Sequence, residues 1–289
     1  MKITVFTPTY NRAYILEKLY RSLQKQTCRD FEWLVVDDGS ADETQELFRK
    51  WEMEENSFSI RYFKTENGGK CRAINHGLKL ARGELFFTVD SDDTLTEDAL
   101  EKVISWEAAL PSDGRYCGIA GNPGTSDAYT PNRLFDGGYF DGTLLDRYGS
   151  VDGERAIVFY TQIYRNYLYP EFEGEKFLTE AVVYNRMAHD GYRMRFYNDI
   201  IYIYEYRNDG LTKAGRRLFL DNPRGYGLWL REKAEFENAS RIDKLKMYYT
   251  FTCDLSAQYD DSSMIAECIG APEMLVRFII MARKLLKKG

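Results

Sequence analysis

Asp90-Ser91-Asp92-Asp93 places three carboxylates within four residues, directly after the apolar run Leu85 to Val89. In an extended segment alternate side chains point the same way, so Asp90 and Asp92 can address one ligand. Such a DxD arrangement suits a divalent cation that takes one or two protein carboxylates and completes its shell from phosphate and water. That chemistry offsets charge on a departing diphosphate. The same residues also read as a solvated acidic turn, or as a cap for the helix expected from Glu97.

Two further polar clusters follow apolar runs. Thr7-Pro8-Thr9-Tyr10-Asn11-Arg12 follows Ile3 to Phe6 and offers hydroxyls, backbone groups and a flat ring, which suit a base and ribose. Asp37-Asp38-Gly39-Ser40 follows FEWLVV, and Asp38 can accept from a base imide or a ribose hydroxyl. Asn11, Thr9, Asp38 and Ser40 are equally good helix caps. Asn67-Gly68-Gly69-Lys70-Cys71-Arg72 joins two glycines and two cations to a helix start that also carries Asn75 and His76. Glycines admit a close backbone approach and a helix N-terminus favours anions. The P-loop pattern is absent. A surface loop with solvated Lys and Arg accounts for the segment equally well.

These clusters need elements to position them. Ile15, Leu19 and Leu23 recur at helical spacing, Asp42 to Glu54 carries Leu47 and Trp51, and Ile74, Leu78 and Ala81 mark a third helix. Strands alternating with such helices imply βαβ crossovers and a largely parallel sheet, with ligands beyond the strands' carboxyl ends. All three acidic or hydroxyl-rich clusters fall at those ends. Residues 111–155 read as loops around short strands, 157–168 and 192–206 as β segments, Thr179 to Asp190 as a helix, and the chain from Arg216 onward as helical.

With 44% hydrophobic and 29% charged residues the chain is composed as a globular protein, and its formal net charge of −6 disfavours a nucleic-acid binder. Five scattered cysteines without CxxC spacing fit reduced thiols in the cytoplasm, and two histidines support neither a histidine metal site nor a Ser-His-Asp triad. No signal peptide or run of about 18 apolar residues is visible.

TPTYNR, LVVDDGSADET, ENGGKCRAINHGLKLARGE and FFTVDSDD, in this order and spacing, resemble the donor-binding half of family 2 glycosyltransferases with the GT-A fold. The resemblance is dense over about the first 100 residues and weak to about residue 212. It implies an α/β Rossmann-like sheet flanked by helices, with a nucleotide-sugar half at 1–110, an acceptor half at 111–215 and a helical extension at 216–289. It also implies nucleotide-sugar contacts from Thr7, Pro8, Thr9, Tyr10, Arg12, Asp38, Lys70, Arg72, Asn75, Asp90 and Ser91. Asp92 or Asp93 holds Mg²⁺ or Mn²⁺ on this reading, and the donor is a UDP-sugar carrying a hexose or N-acetylhexosamine. The acceptor is a surface polysaccharide or lipid-linked glycan.

An inverting transfer needs a carboxylate to take the acceptor's proton. The stretch Tyr169 to Glu180 resembles the family's acceptor side, where a Glu-Asp pair supplies that base. Here Glu180 is followed by Ala181, so Glu180, or else Glu173 or Glu175, has the role. Glu180 also fits as a first-turn acid after the N-cap Thr179. Arg207 to Thr212 resembles a loop that closes over the donor, and reads equally well as a polar turn. A nucleotidyltransferase, or a nucleotide-sugar binder without turnover, matches the same acids.

The C-terminal segment from Met274 carries Leu275, Phe278, Ile279, Ala282 and Leu286 along one helical face, with Arg277, Arg283, Lys284, Lys287 and Lys288 nearby. This face either packs on the protein's own core or touches an anionic inner membrane leaflet.

Overall fold

The computed structural model describes residues 1–146, 150–205, 207 and 215–286. The chain divides into two compact units, Met1–Leu168 with Arg186–Arg207, and Tyr169–Asn185 with Asn208–Gly289.

The first unit holds every named strand. β1 (Ile3–Thr9) and β2 (Phe31–Asp37) are buried at all seven positions, the pattern of parallel strands covered on both faces. β1 pairs in parallel with β2 and with β4 (Leu85–Thr88), and β2 pairs in parallel with β3 (Ser59–Lys64). The crossovers are α1 (Leu16–Gln24), α2 (Thr44–Met53) and α3 (Lys70–Leu80). Between β1, β2 and these helices Tyr20, Trp33, Phe48 and Trp51 form an aromatic cluster, with Tyr20 stacked on Trp51 at 4.5 Å. Close packing of such rings supplies much of the apolar burial.

Beyond β4 the parallel pattern gives way to a mixed sheet. Two short elements, β5 (Thr94–Leu95) and α4 (Ala99–Ala108), precede β6 (Tyr116–Gly124), β7 (Tyr139–Gly142), β8 (Ala156–Tyr160) and β9 (Arg193–Ile203). The main sheet order is β3-β2-β1-β4-β8-β6-β9-β5, with β7 on β9. β8 runs antiparallel to β4 and β6, whereas β6 and β9 are parallel. The expected β segment at 157–168 is therefore β8 followed by α5 (Thr161–Tyr164).

The short strands expected within 111–155 are β6 and β7, and β6 is longer than expected, at nine residues. Its sequence YCGIAGNPG looks like a turn, yet all nine residues are buried. A Cβ on Gly118 would run into the Val158 carbonyl, so this glycine allows two strands to approach closely.

In the second unit α7 (Arg216–Leu220), α8 (Pro223–Phe236), α9 (Arg241–Leu255), α10 (Ser262–Ile269) and α11 (Glu273–Leu286) follow one another. Pro223 sits in the first turn of α8, and Ser240 and Asp261 cap α9 and α10 through side-chain oxygens. Gly270 ends α10 in the left-handed region at φ 67°. Phe251, Leu255, Ile265, Ile269 and Val276 form the centre of this unit's apolar core. The helix α6 (Ala181–His189) spans the boundary between the units in sequence. All five cysteines are free, and no helix among the described residues is long and apolar enough to cross a membrane.

Candidate nucleotide and metal site

Parallel register sets the site. Thr9 lies level with Asp37, Asp37 with Lys64, and Phe6 with Thr88. The loops after β1, β2, β3 and β4 therefore leave the sheet on one edge.

The first two loops are laced together. Asn11 adopts φ 52°, a left-handed conformation that asparagine tolerates better than most residues. Its backbone N–H donates to Ser40 Oγ at 2.8 Å, and its side-chain oxygen accepts from the Ala41 N–H at 2.7 Å. Asp42 accepts from the Ala13 N–H at 2.9 Å. Asp37, fully buried, accepts from the Ser40 N–H and from the Tyr62 hydroxyl.

Asp38 joins the second loop to the glycine turn. Its carboxylate accepts from the Gly68 and Gly69 N–H groups at 2.7 and 2.8 Å, and from the Asn67 amide at 3.1 Å. The same amide reaches the Asp38 carbonyl at 2.8 Å. Gly69, at φ 94°, is the residue before α3, so this turn requires a conformation that side chains disfavour. Asp38 is only 6% exposed, and these bonds make it the clamp of the turn. A Cβ on Gly68 would meet Arg72, whose side chain lies against that glycine.

The acidic cluster is sorted by its partners. Lys70 Nζ lies 2.9 and 3.1 Å from the two Asp90 carboxylate oxygens. Tyr202, from β9, donates its hydroxyl to Asp93 at 2.7 Å and accepts from the Asp90 N–H at 3.1 Å. Asp92 has no hydrogen-bond or ion-pair partner among the described residues. Burial pushes the Asp93 carboxyl up to about 7; the Tyr202 bond opposes the shift, and the charges of Asp90 and Asp92 add to it. Burial likewise raises the Tyr202 hydroxyl.

The geometry thus brings Asp38, Lys70, Arg72, Asp90, Asp92 and Asp93 to loops on one sheet edge. It also shows where individual side chains depart from the sequence expectation. Thr7 is fully buried and its hydroxyl accepts from the Trp33 indole N–H at 3.0 Å, so its side chain belongs to the core. Pro8 lies within the strand, paired with Val36. Asn75 is 4% exposed among the buried residues of α3, and Ser91 is 7% exposed. Tyr10 is 50% exposed, and Arg12 donates to the Tyr14 hydroxyl at 2.6 Å. Thr9 is buried at the end of β1, and its hydroxyl has no hydrogen-bond partner among the described residues. Tyr202 and Asn67 are the residues that sequence reasoning missed. Tyr202 sits 109 residues from Asp93 in a Tyr-rich strand, and only β-pairing identifies which tyrosine faces the acids.

In the second unit Glu175 accepts from the Arg224 and Gly225 N–H groups at 2.7 and 2.9 Å and so closes the N-terminus of α8. Glu173 contributes a backbone carbonyl to Arg224. Glu180 immediately precedes α6. Of the expected donor-covering loop, Arg207 to Thr212, only Arg207 is among the described residues, its guanidinium lying 5.4 Å from the centre of the Tyr14 ring.

A family model described as Glycosyl transferase family 2 matches residues 4–200. The chain is 35% identical over 105 residues to a GalNAc(5)-diNAcBac-PP-undecaprenol beta-1,3-glucosyltransferase of Campylobacter jejuni, covering 36% of this chain and 33% of that one. Matched segments span 33–35% of the length of several such curated relatives. Among solved structures, Staphylococcus aureus TarS 1-349 in complex with UDP-GlcNAc aligns over 99% of this chain and 92% of its own, with a TM-score of 0.62 and 17% identity. The mannosyltransferase PcManGT of Pyrobaculum calidifontis, in complex with GDP-Man and Mn²⁺, aligns over 100% and 88% with a TM-score of 0.53 and 19% identity. These likenesses establish the GT-A fold expected from the sequence.

Proposed function

The chain belongs to glycosyltransferase family 2, and from that premise we propose that it transfers a sugar from a uridine diphosphate sugar to an acceptor hydroxyl with inversion. The observation that carries this reading is the loop cluster at the carboxyl ends of β1, β2 and β4, where Asp38 fixes a glycine turn and Lys70 meets Asp90 beside an unengaged Asp92. The TarS complex with UDP-GlcNAc and the PcManGT complex with GDP-Man support a nucleotide-sugar donor.

The donor set fits a cation that arrives with phosphate. No three acidic, histidine or cysteine side chains among the described residues form a closed cage, and an ion of the Mg²⁺ or Mn²⁺ type needs only one or two carboxylates. Asp92 is the residue to hold it, since Asp90 is paired with Lys70 and Asp93 with Tyr202. When bound, such an ion offsets charge on the leaving diphosphate. Lys70 supplies a second positive charge there once a diphosphate competes with Asp90 for it. Tyr10 offers an exposed ring for the base, and the Thr9 hydroxyl, without a hydrogen-bond partner among the described residues, a further polar group at the end of β1.

Glu180 is the proposed base, taking the acceptor hydroxyl's proton as that oxygen attacks the anomeric carbon. Glu175 closes the start of α8 through two backbone N–H groups, which argues against it as the base. The acceptor class we propose is a surface polysaccharide or lipid-linked glycan, supported by the Campylobacter relative.

A thermal-shift series with nucleotide sugars, with and without Mn²⁺, tests the donor and metal together. A uridine diphosphate sugar raises the melting temperature of the wild type in the presence of Mn²⁺, and Asp92→Ala abolishes the Mn²⁺-dependent part. Equal stabilisation of both proteins would remove Asp92 from the metal site. Release of pyrophosphate in place of UDP would identify a nucleotidyltransferase.

A further inference from the structure

The apolar residues of α11 fall on two opposite faces. The inward face carries Val276 and Ile279, 0% and 7% exposed, and Val276, with the partly buried Ile280, packs into the core of the helical unit with Phe251, Leu255 and Ile269. Arg283 fastens the same side by donating to the Cys253 carbonyl of α9. This satisfies the ordinary reason for an amphipathic helix, namely packing on its own protein.

A second apolar stripe remains on the outside. Met274, Phe278, Met281 and Leu285 are 85%, 60%, 55% and 66% exposed. At about 100° per residue these four positions fall within a sector of roughly 60°, opposite the buried stripe. The stripe differs from the single face read from the sequence: Ile279 points inward, and Met274, Met281 and Leu285 join Phe278 outside. α9, which packs on α11, exposes Ile242, Leu245 and Tyr249 at 66%, 52% and 52%, also at helical spacing.

Charge selects the partner. The chain carries a formal net charge of −6, yet residues 273–288 contain five basic side chains and one acidic one. Arg277 and Lys284, seven residues apart, border the outer stripe and line one shallow pocket with Asp260, Ile280, Met281 and Leu285, so two cations there face one carboxylate. Arg277 is paired with Glu273 at 2.7 Å, whereas Lys284 has no carboxylate partner among the described residues. Long cationic side chains beside an exposed apolar stripe let the rings and aliphatic chains enter an acyl boundary while the charges reach anionic headgroups.

We propose that the outward face of α11, with Met274, Phe278, Met281 and Leu285 as its apolar contacts and Lys284 as its cationic one, docks on an anionic lipid surface. The contact is peripheral, and it does not depend on the assignment of a sugar donor.

The test is flotation of the full chain with two sets of vesicles, phosphatidylcholine alone and phosphatidylcholine mixed with phosphatidylglycerol. The wild type floats with the anionic vesicles and stays behind with the neutral ones. Phe278→Glu combined with Leu285→Glu lowers the bound fraction at least about tenfold. Lys284→Glu lowers it roughly fivefold or more, and added salt weakens the wild type in the same direction. Because these side chains are exposed, both variants keep the wild-type melting temperature. Equal flotation of wild type and variants, or equal binding to neutral vesicles, overturns the proposal. So does a self-association in sedimentation velocity that the same variants abolish, which would assign the face to a second copy of the chain.

Discussion

Asp38 and Glu175 perform the same physical act in the two units. Each carboxylate accepts from two consecutive backbone N–H groups at the start of a helix: Gly68 and Gly69 ahead of α3, Arg224 and Gly225 in the first turn of α8. The surroundings differ. Asp38 is nearly buried and serves a turn with a left-handed glycine, Gly69, that Lys70 follows at once and from which Lys70 reaches Asp90. Glu175 lies in a partly exposed segment and its bond to Arg224 is open to solvent. The comparison teaches that one hydrogen-bonding device can organise a chemical site in one unit and only a helix end in another. What decides is the residue presented next.

The sharpest way to break this contrast is kinetic. Glu180→Gln lowers kcat by about 10²–10⁴-fold, the range for a lost general base, while Glu175→Gln leaves kcat within about threefold. Comparable losses in the two variants would move the base to Glu175. Single-turnover measurements with saturating donor distinguish the cases.

The next effect is on stability. Asp38→Ala strands one buried and one partly buried backbone donor and lowers unfolding stability by about 2–4 kcal/mol. Glu175→Ala, which exposes its donors to water, costs about 0.5–2 kcal/mol, as other helix caps do. Denaturant titration of both variants measures the difference, and equal costs would mean that the glycine turn is no better buried than the α8 terminus.

The smallest effect concerns pH. Asp93 is raised to about 7 by burial, with Asp90 and Asp92 adding to it, so the folded chain keeps a proton that the unfolded chain releases. Stability contributed by that proton is present below the ordinary carboxylate range and declines as pH rises toward 7. Asp93→Asn keeps an acceptor for Tyr202 and removes the titration. In chelator, its melting temperature therefore gains on the wild type between about pH 4 and about pH 7. A constant difference across that range would show that Asp93 titrates normally.

The contrast also explains what the sequence could show. The parallel half was legible because each strand is a short apolar run ended by polar residues, and β1 to β4 fall where those runs fall. The acids were legible because chemistry-bearing residues sit in the loops. Which acid does what was not, because partner choice depends on Lys70 and on Tyr202, a residue brought in by a strand more than a hundred positions away. The length of β6 escaped for a packing reason: its glycines read as turn formers, whereas Gly118 and Gly121 make room for Val158 and Ile201. The two faces of α11 escaped because its apolar residues cover a wide arc, from the exposed Met274 and Leu285 round to the buried Val276 and Ile279, and the pattern alone does not say which part of that arc meets the core.

The reciprocal bonds between Asn11, Ser40 and Ala41 make the first two loops one mechanical piece. Exchange of parts between homologous enzymes has to respect that. A chimera that imports only one of these loops would leave donors and acceptors facing strangers, whereas the pair can travel together as a cassette.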